Sequence, residues 1–136
     1  MPDEKFTTAV ENIIARDQRY HPDSYDFVQS ALIYTQEKIK QTRGKIGHVS
    51  GQELLEGIKE YALNEFASMA TMVFAEWGIT RCEDFAEIVF NMVEEGMLSK
   101  TDQDSKEDFR KGFDFYEAFT KPFLHCPSFF LLVFKV

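Results

Sequence analysis

Apolar residues recur at helical spacing through the middle of the chain, and strong start and stop signals divide them into separate segments. The clearest start is at Ser50, which can cap a helix while Glu53 completes a capping box and Val49 contacts Leu54. One apolar stripe continues from this start along a single helix face. It consists of Leu54, Leu55, Ile58, Tyr61, Ala62 and Phe66.

Two more helices follow this one. The first covers about 68–77 and stops at Gly78, a residue suited to a left-handed cap. The second covers about 81–95, and Thr80 with Glu83 forms a second capping box at its start. Its apolar stripe is predicted to point inward, whereas Asp84, Glu87, Asn91 and Glu94 are predicted to point outward.

Residues 1–45 are predicted to form an N-terminal helical pair. The first helix covers residues 4–16, and the second covers about 24–41 after Asp23, a suitable N-cap. Two glycines then interrupt the helical pattern, which indicates a loop over residues 42–49.

The apolar period changes after the last of these helices. Residues 97–100 are typical of a short strand and 101–108 of a polar loop. The phenylalanines of 109–115 could form a second strand or a helical turn. Three helices followed by a β-hairpin is the order of a winged helix. The sequence therefore predicts a mainly α single domain, 1–136, with a winged-helix-like core over residues 46–121 and an apolar C-terminal tail over residues 122–136.

The surplus negative charge lies in one segment. The formal net charge is −8, and residues 46–98 alone hold ten acidic residues against two basic ones. Such a surface repels a phosphate backbone, so nucleic acid is an unfavourable partner for it. The outward acidic residues Glu83, Glu87 and Glu94 are therefore the candidate contacts to a protein partner.

The opposite charge collects at the end of the second helix. Lys38, Lys40, Arg43 and Lys45 form a basic cluster around a G-x-x-G sequence at residues 44–47, the pattern by which KH modules clamp a nucleic-acid backbone. The strand pattern of a KH fold is missing. A flexible connector is the preferred interpretation, and nucleic-acid binding through residues 38–48 is the alternative.

No catalytic, metal or cofactor site is predicted. The histidines and cysteines show neither C-x-x-C nor H-E-x-x-H spacing, which is what a zinc site requires. Cys82 is expected in the first turn of a helix, whose dipole could lower the thiol pKa, but a structural thiol is the favoured interpretation.

Several blocks of the chain resemble an uncharacterised bacterial family found mainly in planctomycetes and verrucomicrobia. They are FVQSALIYTQEKI, HVSGQELLEGI, FAEWGI, EDFAEIVFNMVEEGMLSKT and DFRKGFDFYEAF, which together extend from Phe27 to Phe119. The family has no known function, so the resemblance implies no activity. The C-terminal FLHCPSFFLLVFKV lies outside the resemblance.

Taken together, these patterns predict a cytoplasmic, non-enzymatic module that binds a protein partner. The longest apolar run, Phe129 to Phe134, is too short for the roughly 20 residues that cross a bilayer, so no membrane span is expected. This run is β-prone, and it is predicted to pack within the domain or to form a homodimer interface. A regulator that binds nucleic acid is the alternative function.

Overall fold

The structure, a computed structural model, describes residues 4–45 and 47–124 of the 136-residue chain. These residues form helices and irregular connections, with no strand among them, so the mainly helical fold class is confirmed. The α-helices are α1 (Glu4–Arg16), α2 (Pro22–Arg43), α3 (Gly51–Phe66), α4 (Ala70–Glu76), α5 (Cys82–Glu94) and α6 (Lys121–Leu124).

Three shorter turns connect these helices. A 3-10 turn, Ala67–Met69, joins α3 to α4, and a second one, Lys106–Phe109, packs against α3 and α5. A π-helical turn, Tyr116–Thr120, leads into α6 and packs against α4. The N-terminal helices are not separate from the rest, because α2 packs along α3 and both α1 and α2 contact α5.

The start of α3 agrees with the sequence prediction. The Glu53 amide donates to Ser50 Oγ at 3.1 Å, and the Ser50 amide donates to Glu53 Oε1 at 3.0 Å. Both bonds satisfy backbone donors that the first turn of a helix leaves without partners. The left-handed stop at Gly78 is also as predicted, with φ 86°.

Two other helix starts differ from the prediction. His21, not Asp23, caps α2, because its Nδ1 accepts the Asp23 amide at 3.0 Å and Pro22 occupies the first turn. At α5, Asp84 replaces Glu83 as the capping acid, since Asp84 Oδ2 accepts the Thr80 amide at 2.9 Å. A proline at the first helical position costs nothing, because the donor that it lacks would be unpaired there in any case.

Aromatic rings fill the centre of the core. The fully buried Phe74 ring lies 5.3 Å from Phe27, 5.4 Å from Phe85 and 5.5 Å from Phe119, measured between ring centroids. Most of these pairs are edge-to-face or tilted, which is the arrangement that aromatic quadrupoles favour. One apolar cluster therefore joins α2, α4, α5 and the π-helical turn.

The predicted winged-helix core is wrong, because neither 97–100 nor 109–115 is a strand. Side chains in this segment bond to the backbone instead. Asp104 Oδ2 accepts the Thr101 amide at 2.8 Å, and Asp108 Oδ2 accepts the Ser105 amide at 3.1 Å. Such local bonds fold the chain into turns and compete with the ladder of a hairpin.

Asn91 was also predicted to point outward, but it is buried. Its amide nitrogen donates to Asp17 Oδ2 at 2.9 Å and to the Tyr25 hydroxyl at 3.2 Å, and its Oδ1 accepts from Arg16 at 3.1 Å. Because a buried amide needs partners for both its donors and its acceptor, this residue connects the end of α1 to α2 and α5. The apolar run from Phe129 to Phe134 lies outside the described residues, as does the pairing predicted for it.

Candidate functional site

Within the described residues, two of the four side chains of the predicted basic cluster form ion pairs and two do not. The Lys38 ammonium pairs with Glu60, and the Arg43 guanidinium pairs with Glu53. The hydrogen bond from Lys38 holds the pKa of Glu60 below its ordinary value. Lys40 and Lys45 form no ion pair with residues 4–45 or 47–124.

The two glycines of the G-x-x-G sequence, Gly44 and Gly47, are both exposed. Gly44 ends α2 in the left-handed conformation, with φ 80°, and its amide bonds to the Lys40 carbonyl at 2.7 Å. A Cβ at Gly44 or Gly47 would meet no atom within 4 Å. This geometry fits the helix stop and connector that the sequence indicated.

The predicted acidic contacts are also partly neutralised. Glu87 pairs with Arg19 at 3.0 Å and with Lys106 at 3.1 Å, and Glu94 pairs with Arg16 at 3.1 Å. Burial would raise the pKa of Glu87, but the hydrogen bonds from Lys106 and Arg19 outweigh it and lower the pKa. Glu83 has no ion pair within the described residues.

Cys82 behaves as a structural thiol. It is buried, and its Sγ donates to the Phe113 carbonyl at 3.3 Å. Burial raises the pKa of the thiol to about 11, which leaves it protonated at neutral pH. The helix dipole does not overcome this desolvation.

The sequence did not point to a cleft that opens between α2, α5 and the loops around residues 48 and 104. Its volume is about 340 Å³, and Leu32, Leu54, Phe90 and Phe109 contribute apolar walls. Polar side chains line the rest of it, namely Gln36, His48, Ser50, Ser99, Lys100, Asp104, Ser105 and Asp108. We call this feature the His48 cleft.

One polar contact joins the two loops of the His48 cleft. His48 Nε2 lies 2.8 Å from Asp104 Oδ2, and the same oxygen accepts the Thr101 amide. Burial would raise the pKa of Asp104, but the bonds from Thr101 and His48 outweigh it and lower the pKa. The T-x-x-D and S-x-x-D spacings at residues 101–108 are the signal that could have predicted these turns.

A second feature is apolar and exposed. Met69, Met72 and Tyr116 expose 51%, 61% and 54% of their surfaces. They lie on the turn before α4, on α4 and on the π-helical turn, which pack against one another. We call these three residues the methionine surface.

Residues 4–45 and 47–124 contain no group of three or more His, Cys, Asp or Glu residues that could hold a metal ion. The same residues include no helix that is both long and apolar enough to cross a membrane. The chain matches no protein-family model, and searches of curated proteins and of solved structures found no similar protein. The resemblance to a bacterial family thus remains a prediction.

Proposed function

We propose that this chain is a non-enzymatic module that binds a partner protein through the methionine surface. The observation that carries the proposal is the exposure of Met69, Met72 and Tyr116 on adjacent elements. Single exposed apolar residues are ordinary, but a contiguous apolar group on a soluble domain typically marks an interaction site.

The buried side of the same elements explains why these residues remain exposed. Ala70 and Phe74 occupy the inner face of α4, and Phe119 occupies the inner face of the π-helical turn. Because Phe74 and Phe119 already fill the core, Met72 and Tyr116 are left on the outer side. The exposure therefore follows from complete inner packing and not from a missing core contact.

The surroundings of the methionine surface are acidic. Glu65, near the end of α3, and Glu76, at the end of α4, are exposed and form no ion pair with the described residues. Glu117 is paired with Lys121 at 3.2 Å. A partner that fits this surface presents apolar side chains flanked by lysine or arginine.

The two kinds of residue have different roles in such a complex. Methionine is flexible and polarisable, so it adapts to partner surfaces of different shape. Burial of Met69, Met72 and Tyr116 supplies most of the affinity, whereas the acidic residues increase the association rate and select basic partners. Glu83 contributes to the same field, while Glu87 and Glu94 are already held by Arg19, Lys106 and Arg16.

Lys40 and Lys45 support the alternative function, a regulator that binds nucleic acid. Their ammonium groups are exposed at the end of α2 and after it, with no ion pair in the described residues. Two of the four basic side chains in the cluster are neutralised by Glu53 and Glu60, however. Since affinity for nucleic acid depends on the number of free cations, we place this function second.

Pull-down from native lysate tests the proposal, with captured proteins identified by mass spectrometry. Tagged wild-type protein is compared with Met72→Glu and with Ile33→Glu, a control at another exposed apolar residue, which lies on α2. Each lysate is divided, and one half is treated with nuclease. We expect a near-stoichiometric protein that wild type and Ile33→Glu capture and that Met72→Glu loses.

Two results would contradict the proposal. Equal capture by Met72→Glu and wild type would remove the methionine surface from the interaction. Loss of every partner after nuclease treatment would favour the nucleic-acid alternative, and changing Lys40 and Lys45 to Ala should then abolish binding at low salt.

A further inference from the structure

The chain leaves the described part of the fold beside the methionine surface. The π-helical turn, which carries Tyr116, packs against α4 and against the turn before α4, where Met72 and Met69 lie. The same π-helical turn leads into α6, which ends at Leu124 with 40% of that residue's surface exposed. Tyr116 and Leu124 are eight positions apart, which corresponds to about 12 Å along a helix. The residues that follow Leu124 therefore start close to this surface.

The longest apolar run of the sequence comes shortly after this point. It is FFLLVF, residues 129–134, and we call it the C-terminal run. Because a chain spans at most about 3.3–3.6 Å per residue, the stretch from Leu124 to Phe129 covers up to about 17 Å. The C-terminal run is thus long enough in its connection to reach Tyr116 without any movement of the helices.

The C-terminal run has the chemistry that the methionine surface requires of a partner. It presents apolar side chains, and Lys135 follows them directly. On the other side, Glu65 and Glu76 are exposed and form no ion pair with residues 4–45 or 47–124. A segment tethered this closely has an effective concentration on the order of 1 mM, so even a weak contact is populated.

A second apolar groove is placed less favourably for the same segment. Val10, Ile14 and Pro22 line it between α1 and α2, with a volume of about 350 Å³. α1 packs against α2 and α5, whereas the π-helical turn packs against α3, α4 and the turn that joins them. The chain therefore leaves α6 beside the methionine surface and not beside this groove.

We propose that the C-terminal run packs on the methionine surface of its own chain and so competes with a partner protein for it. The competition rests on the proposed function, but the packing does not. Burial of Met69, Met72 and Tyr116 by residues 129–134 covers two exposed apolar segments at once, which is the outcome that the hydrophobic effect favours.

Nuclear magnetic resonance of the full chain, with labelled methionine methyl groups, tests the packing. We expect nuclear Overhauser contacts between the Met72 methyl group and aromatic protons of residues 129–134. Wild type without these contacts would overturn the proposal. A mixture of labelled and unlabelled chains separates the two sources of a contact, and contacts that arise only between different copies would overturn packing within one chain.

A double variant in the C-terminal run supplies the comparison. Neighbouring side chains of an extended segment point to opposite faces, so changing Phe130 and Leu131 together to Asp affects either face. We expect the Met69 and Met72 resonances to shift in this variant, while the buried Met92 methyl group stays in place and reports an intact fold.

The matched control, Phe130→Leu with Leu131→Ile, keeps both side chains apolar and should leave the Met69 and Met72 resonances close to those of wild type. Equal spectra of wild type and the double Asp variant would contradict the packing.

A peptide of residues 125–136 tests the competition without an identified partner. It carries Ser in place of Cys126, two added lysines for solubility and a fluorescent label. If the C-terminal run covers the surface in most molecules, fewer than half of them are open, so the double Asp variant should bind the peptide at least about twofold more tightly than wild type. Met72→Glu in the double Asp variant should abolish this binding. Equal affinities of wild type and the double Asp variant would overturn the proposal.

The pull-down and the methyl spectra fail separately. Contacts from Met72 to the C-terminal run, with no protein captured from lysate, would support the packing and contradict the proposed function. A captured protein that Met72→Glu loses, with no such contacts in wild type, would support the function and overturn the packing.

Discussion

Two contacts in this protein differ in how closely their elements approach: the contact between α2 and α3, and the contact between α5 and residues 97–109. Between α2 and α3 the backbones come close because Gly57 has no side chain and faces the buried Thr35. Thr35 Oγ1 bonds back to the Ala31 carbonyl at 2.7 Å, so its hydroxyl is satisfied without a partner on α3. A Cβ at position 57 would overlap the Thr35 hydroxyl, so this position accepts no side chain larger than that of glycine.

The contact between α5 and residues 97–109 is packed less closely than the contact between α2 and α3. Polar contacts such as Lys106 with Glu87, at 3.1 Å, and His48 with Asp104, at 2.8 Å, connect the elements there, and the His48 cleft remains open between them. Exposed ion pairs of this kind contribute little to stability. We therefore expect substitutions at the contact between α2 and α3 to cost more stability than substitutions in residues 97–109.

The largest expected effect is at the tight contact. In Gly57→Ala the new methyl group would overlap the hydroxyl of Thr35 and lie 2.8 Å from its Cβ. Rotation about χ1 would break the bond from Thr35 to the Ala31 carbonyl and would leave the Cβ overlap in place, so the contact cannot relax cheaply. We expect urea unfolding to show a loss of about 3 kcal/mol.

Two further variants check this reason. Thr35→Ala combined with Gly57→Ala should recover part of the loss, because the overlapping hydroxyl is gone. Gly47→Ala, where a methyl group meets nothing within 4 Å, should change stability by less than about 0.5 kcal/mol. Equal losses at positions 47 and 57 would break the contrast between the two regions.

An intermediate loss of stability is expected when the pH is raised, because the buried Cys82 thiol at the start of α5 then ionises. Burial raises the pKa of Cys82 from 9.0 to about 11, so the folded state holds the thiol proton more tightly than the unfolded chain does. This contribution is fully present below pH 9.0 and is lost as the pH rises toward about 11. We expect a loss of roughly 2 kcal/mol across that window.

The measurement is urea unfolding at several pH values in a Cys126→Ser background. Cys82→Ala in the same background is the reference, because lysines and tyrosines titrate in both proteins. A Cys82 protein with the same pH dependence as its Ala variant would show that the buried thiol is not coupled to folding.

The smallest loss of stability is expected in residues 97–109, at Asp108. Asp108→Ala removes the carboxylate that accepts the Ser105 amide at 3.1 Å, and the loss of such a cap costs about 1 kcal/mol. Asp102→Ala, at an exposed residue of the preceding turn, is the matched control and should be neutral. A loss at Asp108 as large as that at Gly57 would mean that the looser side also carries the fold.

The accuracy of the sequence predictions differs between these regions. The C-terminal end of α1 at Arg16 and the capping box of α3 follow from residues close together in sequence, and both were predicted correctly. A hairpin was predicted over residues 97–115, with a helical turn left open for the phenylalanines of 109–115. Phe109 and Phe115 are instead buried among helices, and aspartates cap the turns that precede Phe109. A run of phenylalanines is compatible with either structure until its packing partners are known.

The candidate sites depended on tertiary structure to a greater degree. Counting charge by segment made Glu87 and Glu94 candidate contacts to a protein partner. Arg19 and Arg16, which lie about 70 to 80 residues earlier in the chain, pair with them in the structure. The His48 cleft and the methionine surface combine residues that are far apart in sequence. No local pattern indicates which of these residues meet.

The sequence by itself determined where most helices begin and end, because caps, glycine stops and apolar spacing act within a few residues. Tertiary structure alone decided that residues 97–115 are not strands, which charges are neutralised, and that Met69, Met72 and Tyr116 remain outside the core. These outcomes depend on contacts between distant residues, whose free energy is gained only when the whole core packs.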